Sequence, residues 1–336
     1  MKSKKIDVLI IDESGSSYIK HCIPDKASFS VLPVRGTIPL VLSLIFFKRF
    51  TSLFLNSRKF KESFLFSIVD ALDPKILITF IDNSDIISKI HKKFPNKTAI
   101  SVQNGFRSGP DYKAGFFNKE PVSIYFGFGD YEGGILKKYD IKHRDYFAVG
   151  SLKYSLFVNK KFKNFNNKFD FCFISQFNIS DDPFIKILMR DSKLIFMNLL
   201  KICKKYDFSI CVAMRYEINS PYYESELNFY KNIDLYNDSK LISNNNFEFQ
   251  GYKTASNSEV LISICSTLAF EMFGAGHKVL FGASSNSFEL AKFWDSYGNF
   301  AQFPNLNLLD FNEEDSIYYK LTSLLINIVE NKDDYL

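Results

Sequence analysis

Ser263-Ile264-Cys265-Ser266-Thr267-Leu268-Ala269-Phe270-Glu271-Met272-Phe273-Gly274-Ala275-Gly276-His277-Lys278-Val279-Leu280-Phe281-Gly282 is the stretch that decides the fold. It reads as the end of a strand, a turn, a helix, a turn and a second strand. The run from Glu259 to Ile264 is short, apolar and β-branched, which suits a strand buried on both faces of a parallel sheet. Ser266 and Thr267 are helix-capping residue types. Gly274 and Gly276 end the helix, because glycine accepts the left-handed conformation at a helix C-terminus. Lys278 to Phe281 is the next strand. The helix start presents backbone N–H groups without intrahelical partners and the positive end of a dipole, which together suit a phosphate. Glu271 lies one turn further along the same face, within reach of a sugar hydroxyl beside that phosphate. An ordinary strand–helix unit carries the same pattern as a plain cap, so the rest of the chain must separate the two readings.

The chain of 336 residues has room for two domains of ordinary size, and its 46% hydrophobic content can fill a core in each. Its 37 Phe and 18 Tyr go with abundant Lys, Asn and Ile, a bias that base composition partly explains, so aromaticity alone marks no site. The net charge of +5 fits anionic ligands or an anionic membrane surface. No basic run is dense enough for a nucleic-acid module. Cys22, Cys172, Cys203, Cys211 and Cys265 show no metal-ligand spacing and mostly lie in apolar runs, as reduced thiols of a cytosolic protein do. His21, His91, His143 and His277 are equally scattered, and no metal is expected. The apolar run Val8 to Ile11 is too short for a secretion signal, and no stretch approaches 18 uninterrupted apolar residues.

Working outward, strands and helices alternate along the whole chain, which predicts mostly parallel sheets covered on both faces. Strands are expected at Ile6–Ile11, Phe29–Val34, Lys75–Phe80, Thr98–Val102, Ser123–Asp130 and Tyr146–Ser151. The most apolar stretch runs from Ile38 to Leu55, interrupted by Lys48 and Arg49. It is either a core helix with a basic edge or an amphipathic helix that lies on a membrane. A helix follows at about Lys59 to Leu72. The polar stretch Asn159 to Lys168 reads as a linker. The pattern then restarts, with strands at Phe169–Ile174, Phe208–Met214 and Phe247–Phe249, and helices at Ser192–Tyr206, Tyr222–Asn232 and Glu313–Asn331. The expected organisation is an N-terminal domain over residues 1–158, a second over 159–312, and a helix over 313–336 that packs back across the interface.

The order of elements, with the motifs Val102-Gln103-Asn104-Gly105-Phe106-Arg107, Val149-Gly150-Ser151 and Ile262 to Gly276, resembles bacterial surface-carbohydrate biosynthesis proteins for O-antigen or capsule. More broadly it is similar to glycosyltransferases of the GT-B class, with two Rossmann-like domains facing a central cleft. The resemblance implies a metal-independent transferase without a cofactor. Its substrates would be a nucleotide sugar, with a cytidine-monophosphate-linked acidic sugar favoured, and a growing glycan or lipid-linked glycan. It implies a cytoplasmic protein with peripheral contact at the inner membrane. By that resemblance Ser266, Thr267 and Glu271 fall on the positions that bind the donor phosphate and ribose. The alternatives are a non-catalytic glycan- or partner-binding protein of the same fold, a nucleotide-sugar epimerase and a polyol-phosphate transferase. A dehydrogenase fits poorly: Asp12-Glu13-Ser14-Gly15-Ser16 lacks the glycine fingerprint and puts two negative charges where a pyrophosphate would sit.

Transfer asks for three things. A leaving nucleotide needs cations or N–H groups as charge grows on its phosphate. Arg215, at a strand end, is the candidate, with Ser175 and Gln176 lining the same site; Glu217 or Glu224 would otherwise pair with Arg215. An acceptor hydroxyl needs a base. Glu13 is the first choice because Gly15 lets its turn approach a ligand closely, with Asp12, Asp82 and Asp130 also at strand ends. Each of these is equally a turn or capping carboxylate, Asp82 most of all. Gln103, Asn104, Gly105 and Arg107 form a polar corner that positions an acceptor sugar, or a tight turn in which Asn104 and Gly105 take positive φ.

Overall fold

The computed structural model of the protein describes residues 5–35, 44–57, 59–107, 120–160, 169–245, 249–284, 308–311 and 314–330. The chain forms two compact units, Met1–Ser155 and Leu156–Leu336. The division falls inside the helix Leu152–Asn159, just ahead of the expected linker, most of which lies outside the described residues.

The first unit holds six parallel strands: β1 (Val8–Ile11), β2 (Phe29–Leu32), β3 (Ile76–Thr79), β4 (Thr98–Val102), β5 (Val122–Gly127) and β6 (His143–Ala148). Their order across the sheet is β2-β1-β3-β4-β5-β6. Alternation along β1 explains why the strand reads as apolar throughout. Leu9 and Ile11 face one layer, with Leu77, Ala99 and residues of the helices α2 (Leu44–Ser57), α3 (Phe60–Leu72) and α4 (Ile86–Lys93). Ile10 faces the other layer, with Ile19 of α1 (Ser16–Lys20), Phe80 and Val102. The helices α5 (Asp130–Lys138) and α6 (Leu152–Asn159) complete the described elements up to residue 160.

The second unit repeats the plan with β7 (Phe169–Ile174), β8 (Ile210–Glu217), β9 (Ser239–Asn244), β10 (Ser258–Ser263), β11 (Lys278–Ser284) and β12 (Leu308–Phe311), ordered β12-β11-β10-β7-β8-β9 and parallel throughout. Phe171, Phe173, Val212, Val260, Ile262 and Leu280 pack with Ile195, Phe196 and Leu199 of the long helix α7 (Pro183–Tyr206). The C-terminal helix, Glu314–Glu330, adds Ile317, Leu321, Leu325 and Ile328 to this same core.

Several elements depart from expectation, each for a local reason. α7 starts at Pro183 and not near Ser192, because Asp182 accepts the Phe184 N–H at 2.8 Å and proline suits the first helical position. β9 was not expected: as an edge strand it is polar and only half-buried. Phe249, expected to end a strand, takes φ 55 and caps the helix α9 (Gln250–Ser256), while Phe247 and Glu248 lie outside the described residues.

In both sheets the first strand is flanked by its successor on one side and a later strand on the other. The connections therefore leave in opposite directions between β1 and β3 and between β7 and β10. Such switch points open a crevice at the strands' carboxyl ends, where open α/β sheets hold ligands. In the first unit the turn at this point is fixed by Gly15, at φ 74. A Cβ there would come within 2.1 Å of the Phe80 ring. Gly15→Ala combines a left-handed strain with overpacking, and lowers unfolding stability by about 2–4 kcal/mol. Urea unfolding of the two proteins checks this.

Candidate functional site

At the second switch point the helix α10 (Thr267–Gly274) begins directly after β10. The Gln176 side chain, just past β7, spans the gap. Its Oε1 accepts the N–H groups of Ile264 at 3.1 Å and Cys265 at 2.6 Å, and its Nε2 donates to Cys265 Sγ at 3.0 Å. Ser263 Oγ accepts the Ser266 N–H at 3.2 Å. The turn is thus held from below. Ser266 is the cap by position, but its hydroxyl makes no capping hydrogen bond, and Thr267 is the first helical residue. The first-turn N–H groups of a helix have no intrahelical partner, and here no capping serine covers them. At the other end Gly276, at φ 88, takes the left-handed conformation expected for it.

One strand over, Glu226 is completely buried. It sits on α8 (Tyr223–Lys231) and accepts the backbone N–H groups of Arg215 at 2.8 Å and Tyr216 at 2.9 Å, together with the Ser175 hydroxyl. Burial pushes its carboxyl above the ordinary range, against the opposing pull of these hydrogen bonds. The anchored Arg215 is exposed. Its guanidinium donates to the Phe177 carbonyl at 3.1 Å and lies 5.4 Å from the Tyr216 ring centre. It pairs with neither Glu217 nor Glu224 among the described salt bridges. β8 and β10 flank β7, so the strands that lead to Arg215 and to α10 run two strand spacings, about 10 Å, apart.

The structure therefore sorts the expected donor residues. Arg215, Ser266 and Thr267 face the crevice end of the sheet. Ser175 is buried and Gln176 is committed to the turn, so both are corrected from ligand contacts to supports. Glu271 is largely buried and accepts the Tyr252 hydroxyl from α9 at 2.5 Å, which ties its carboxylate to the protein and not to an open sugar position. Glu226 and Tyr252 were not singled out. Glu226 had a signal: it falls one turn before buried Tyr230, a lone carboxylate on an apolar helix stripe.

In the first unit Glu13 is exposed beside the β1–β3 switch point, with no partner for its carboxylate among the described residues. Lys153 adds a cation nearby, 5.6 Å and 5.5 Å from the ring centres of Tyr18 and Phe80. Asp12 does not qualify as a base. It is buried, takes φ 78, pairs with Arg35 at 2.6 Å and accepts the Ser14 N–H. Asp82 is corrected on the same ground, though not as a helix cap. It is fully buried, pairs with Arg107 at 2.7 Å and accepts the Tyr125 hydroxyl at 2.9 Å. Asp130 opens α5 as an exposed first-turn acid. Gln103, Asn104, Gly105 and Arg107 do come together. Gln103 donates to Glu132 at 2.9 Å and to the Gly105 carbonyl at 3.1 Å, while Arg107 also donates to Asn104. Neither Asn104 nor Gly105 takes positive φ; the corner is built by side-chain hydrogen bonds. Among the described residues no group of three or more His, Cys, Asp or Glu could hold a metal ion. No described helix is long and apolar enough to cross a membrane.

No family model matches the chain, and no curated protein matches it. Solved structures do. The chain is similar to a UDP-GlcNAc 2-epimerase of Methanocaldococcus jannaschii in complex with UDP-GlcNAc and UDP, at 10% identity and TM-score 0.52, covering 96% of this chain and 92% of that one. It is similar to the wall teichoic acid polymerase TagF, at 15% identity and TM-score 0.54, covering 99% and 84%. It is also similar to S. aureus MnaA with UDP, at 11% identity and TM-score 0.50, covering 99% and 98%. At these identities the shared property is the fold: two Rossmann-like domains in tandem, as in the GT-B class.

Glu226→Gln replaces one acceptor oxygen by an amide donor and leaves a backbone N–H of β8 unpaired. It lowers stability by about 1–3 kcal/mol. The folded-state pKa of Glu226 is raised above its ordinary 4.5. The glutamate's contribution is then full below pH 4.5 and is lost as pH rises through the folded value. The stability gap between wild type and E226Q narrows from pH 4.5 toward neutrality, as denaturant titrations at several pH values will show.

Proposed function

We propose that the chain transfers a sugar from a nucleotide-activated donor to a glycan acceptor, with the donor held by the second unit and the acceptor by the first. The observation that carries this reading is the start of α10: a helix N-terminus at a switch point, its turn pinned by Gln176, with exposed Arg215 at the end of the strand two places over. The donor's phosphates sit on the N–H groups around Ser266 and Thr267. Arg215 neutralises the charge that grows as the bond from the sugar carbon to phosphate oxygen breaks. The acceptor hydroxyl oxygen forms the new bond to that carbon, and its proton passes to Glu13. Gln103, Asn104 and Arg107 form the rigid corner that orients the acceptor.

The nucleotide we propose is uridine diphosphate. The M. jannaschii epimerase and MnaA are described with UDP, whereas nothing favours the cytidine-linked donor. TagF, a wall teichoic acid polymerase, supports a surface glycan as acceptor. A second reading, epimerisation of a UDP-sugar, is favoured by the 2-epimerases among the similar structures.

Thermal shift against UDP, CMP, GDP and UDP-GlcNAc tests the donor site. UDP at about 100 times its dissociation constant adds roughly 2.7 kcal/mol of stability. Arg215→Ala weakens UDP about tenfold or more, the weight of a hydrogen bond to a charged group. Glu13→Gln leaves UDP affinity unchanged and abolishes transfer. Turnover of UDP-GlcNAc without any acceptor would establish epimerisation instead, and no response to any nucleotide would point to a non-catalytic binding protein.

A further inference from the structure

The helices on one side of the first sheet are locally basic. α2, α3 and α4 carry Lys48, Arg49, Lys61, Lys89, Lys92 and Lys93 against Glu62 and Asp70. Part of this charge is neutralised locally. Arg49 pairs with Asp70 at 3.0 Å, Lys89 with Asp85 at 2.7 Å and Lys92 with Glu120 at 2.5 Å. Lys48, Lys61 and Lys93 have no carboxylate partner among the described residues. One groove is lined by Lys48, Arg49, Ser52 and Leu53 of α2, Asp70 of α3, Lys93 of α4 and Phe94.

The same helices expose apolar side chains that the core does not use. On α2, Phe46, Phe50 and Phe54 turn inward, stacking on one another and meeting Phe60 and Phe64 of α3. The outward face carries Phe47, Lys48, Thr51, Ser52 and Leu55, at i, i+4 and i+8 from Phe47 and at i+4 from Lys48. Phe47 is 49% exposed, Leu55 76%, and Phe60, beside Phe54, 53%. One such side chain is ordinary, but a row of them flanked by unpaired lysines is not.

We infer that this face docks the first unit onto an anionic lipid surface. Large apolar side chains enter the boundary between headgroups and acyl chains, while lysines with long apolar stems reach the phosphates from the same face. Each basic residue near such a surface gains from its negative potential, and salt screens that gain. In the described part of the helix between Ile38 and Leu55 one face is core, and the inference concerns the other face. The inference stands apart from the proposed transfer reaction, since it rests on surface charge and exposure alone.

Vesicle flotation tests it. The full chain is mixed with vesicles of phosphatidylcholine alone or with about one third phosphatidylglycerol, at low and high salt. The expected result is binding to the anionic vesicles only, reduced at least tenfold by salt or by Lys48→Glu with Lys93→Glu. Phe47→Ser with Leu55→Ser is expected to weaken binding several-fold at constant charge. All four positions are exposed, so circular dichroism and the urea unfolding midpoint should be unchanged, which checks that the variants are folded. Equal binding to neutral vesicles, or binding indifferent to both double variants, overturns the inference. So does a dimer in sedimentation that F47S/L55S dissolves, because the stripe would then be an interface between copies.

Discussion

A single side-chain carbonyl oxygen holds the most informative part of this protein in place. Gln176 Oε1 receives the N–H groups of Ile264 and Cys265 where β10 gives way to α10. A parallel sheet whose connections diverge on either side of β7 necessarily leaves polar backbone at that crevice. If the turn satisfied its N–H groups from above, the helix start would be covered. Because Gln176 satisfies the N–H groups of Ile264 and Cys265 from β7, the turn that leads into α10 is held by a side chain of the neighbouring strand's end. Glu226 plays the corresponding part for β8, fixing the backbone at Arg215 so that its guanidinium is carried on a rigid strand end.

The two units solve the same geometric problem differently. In the first, the carboxyl ends of β3, β4 and β5 carry a buried hydrogen-bond network in which Asp82 is bound by Arg107 and Tyr125, and Gln103 by Glu132. Such a network suits a rigid surface that positions a neutral, hydroxyl-rich ligand. In the second, the strand ends retain an uncapped helix start and an exposed arginine, which suits an anion. That asymmetry is the physical ground for the proposal that the second unit holds the donor and the first the acceptor.

The buried parallel strands were legible because they are apolar on both faces. Thr98–Val102 and Phe169–Ile174 were read to the residue. The edge strand β9 was not, since it alternates too little and buries too little to stand out from a loop. The strand ends were legible as places but not as roles. Ser175, Gln176, Asp12 and Asp82 lie at the crevices where they were expected. Whether such a residue faces a ligand or holds a turn depends on partners distant in sequence, such as Glu226 for Ser175 and Arg107 for Asp82. Arg215 and Glu13 kept their candidate roles because no carboxylate or cation elsewhere in the described chain claims them.

Hydrogen–deuterium exchange with and without UDP tests the central claim most directly, because it reports where the nucleotide lands. The account predicts slowed exchange in peptides covering Ser263–Phe270 and the strand end at Arg215, with the turn at Asp12–Ser16 unchanged. Protection confined to the first unit, or slowed exchange that spares the start of α10, would contradict it.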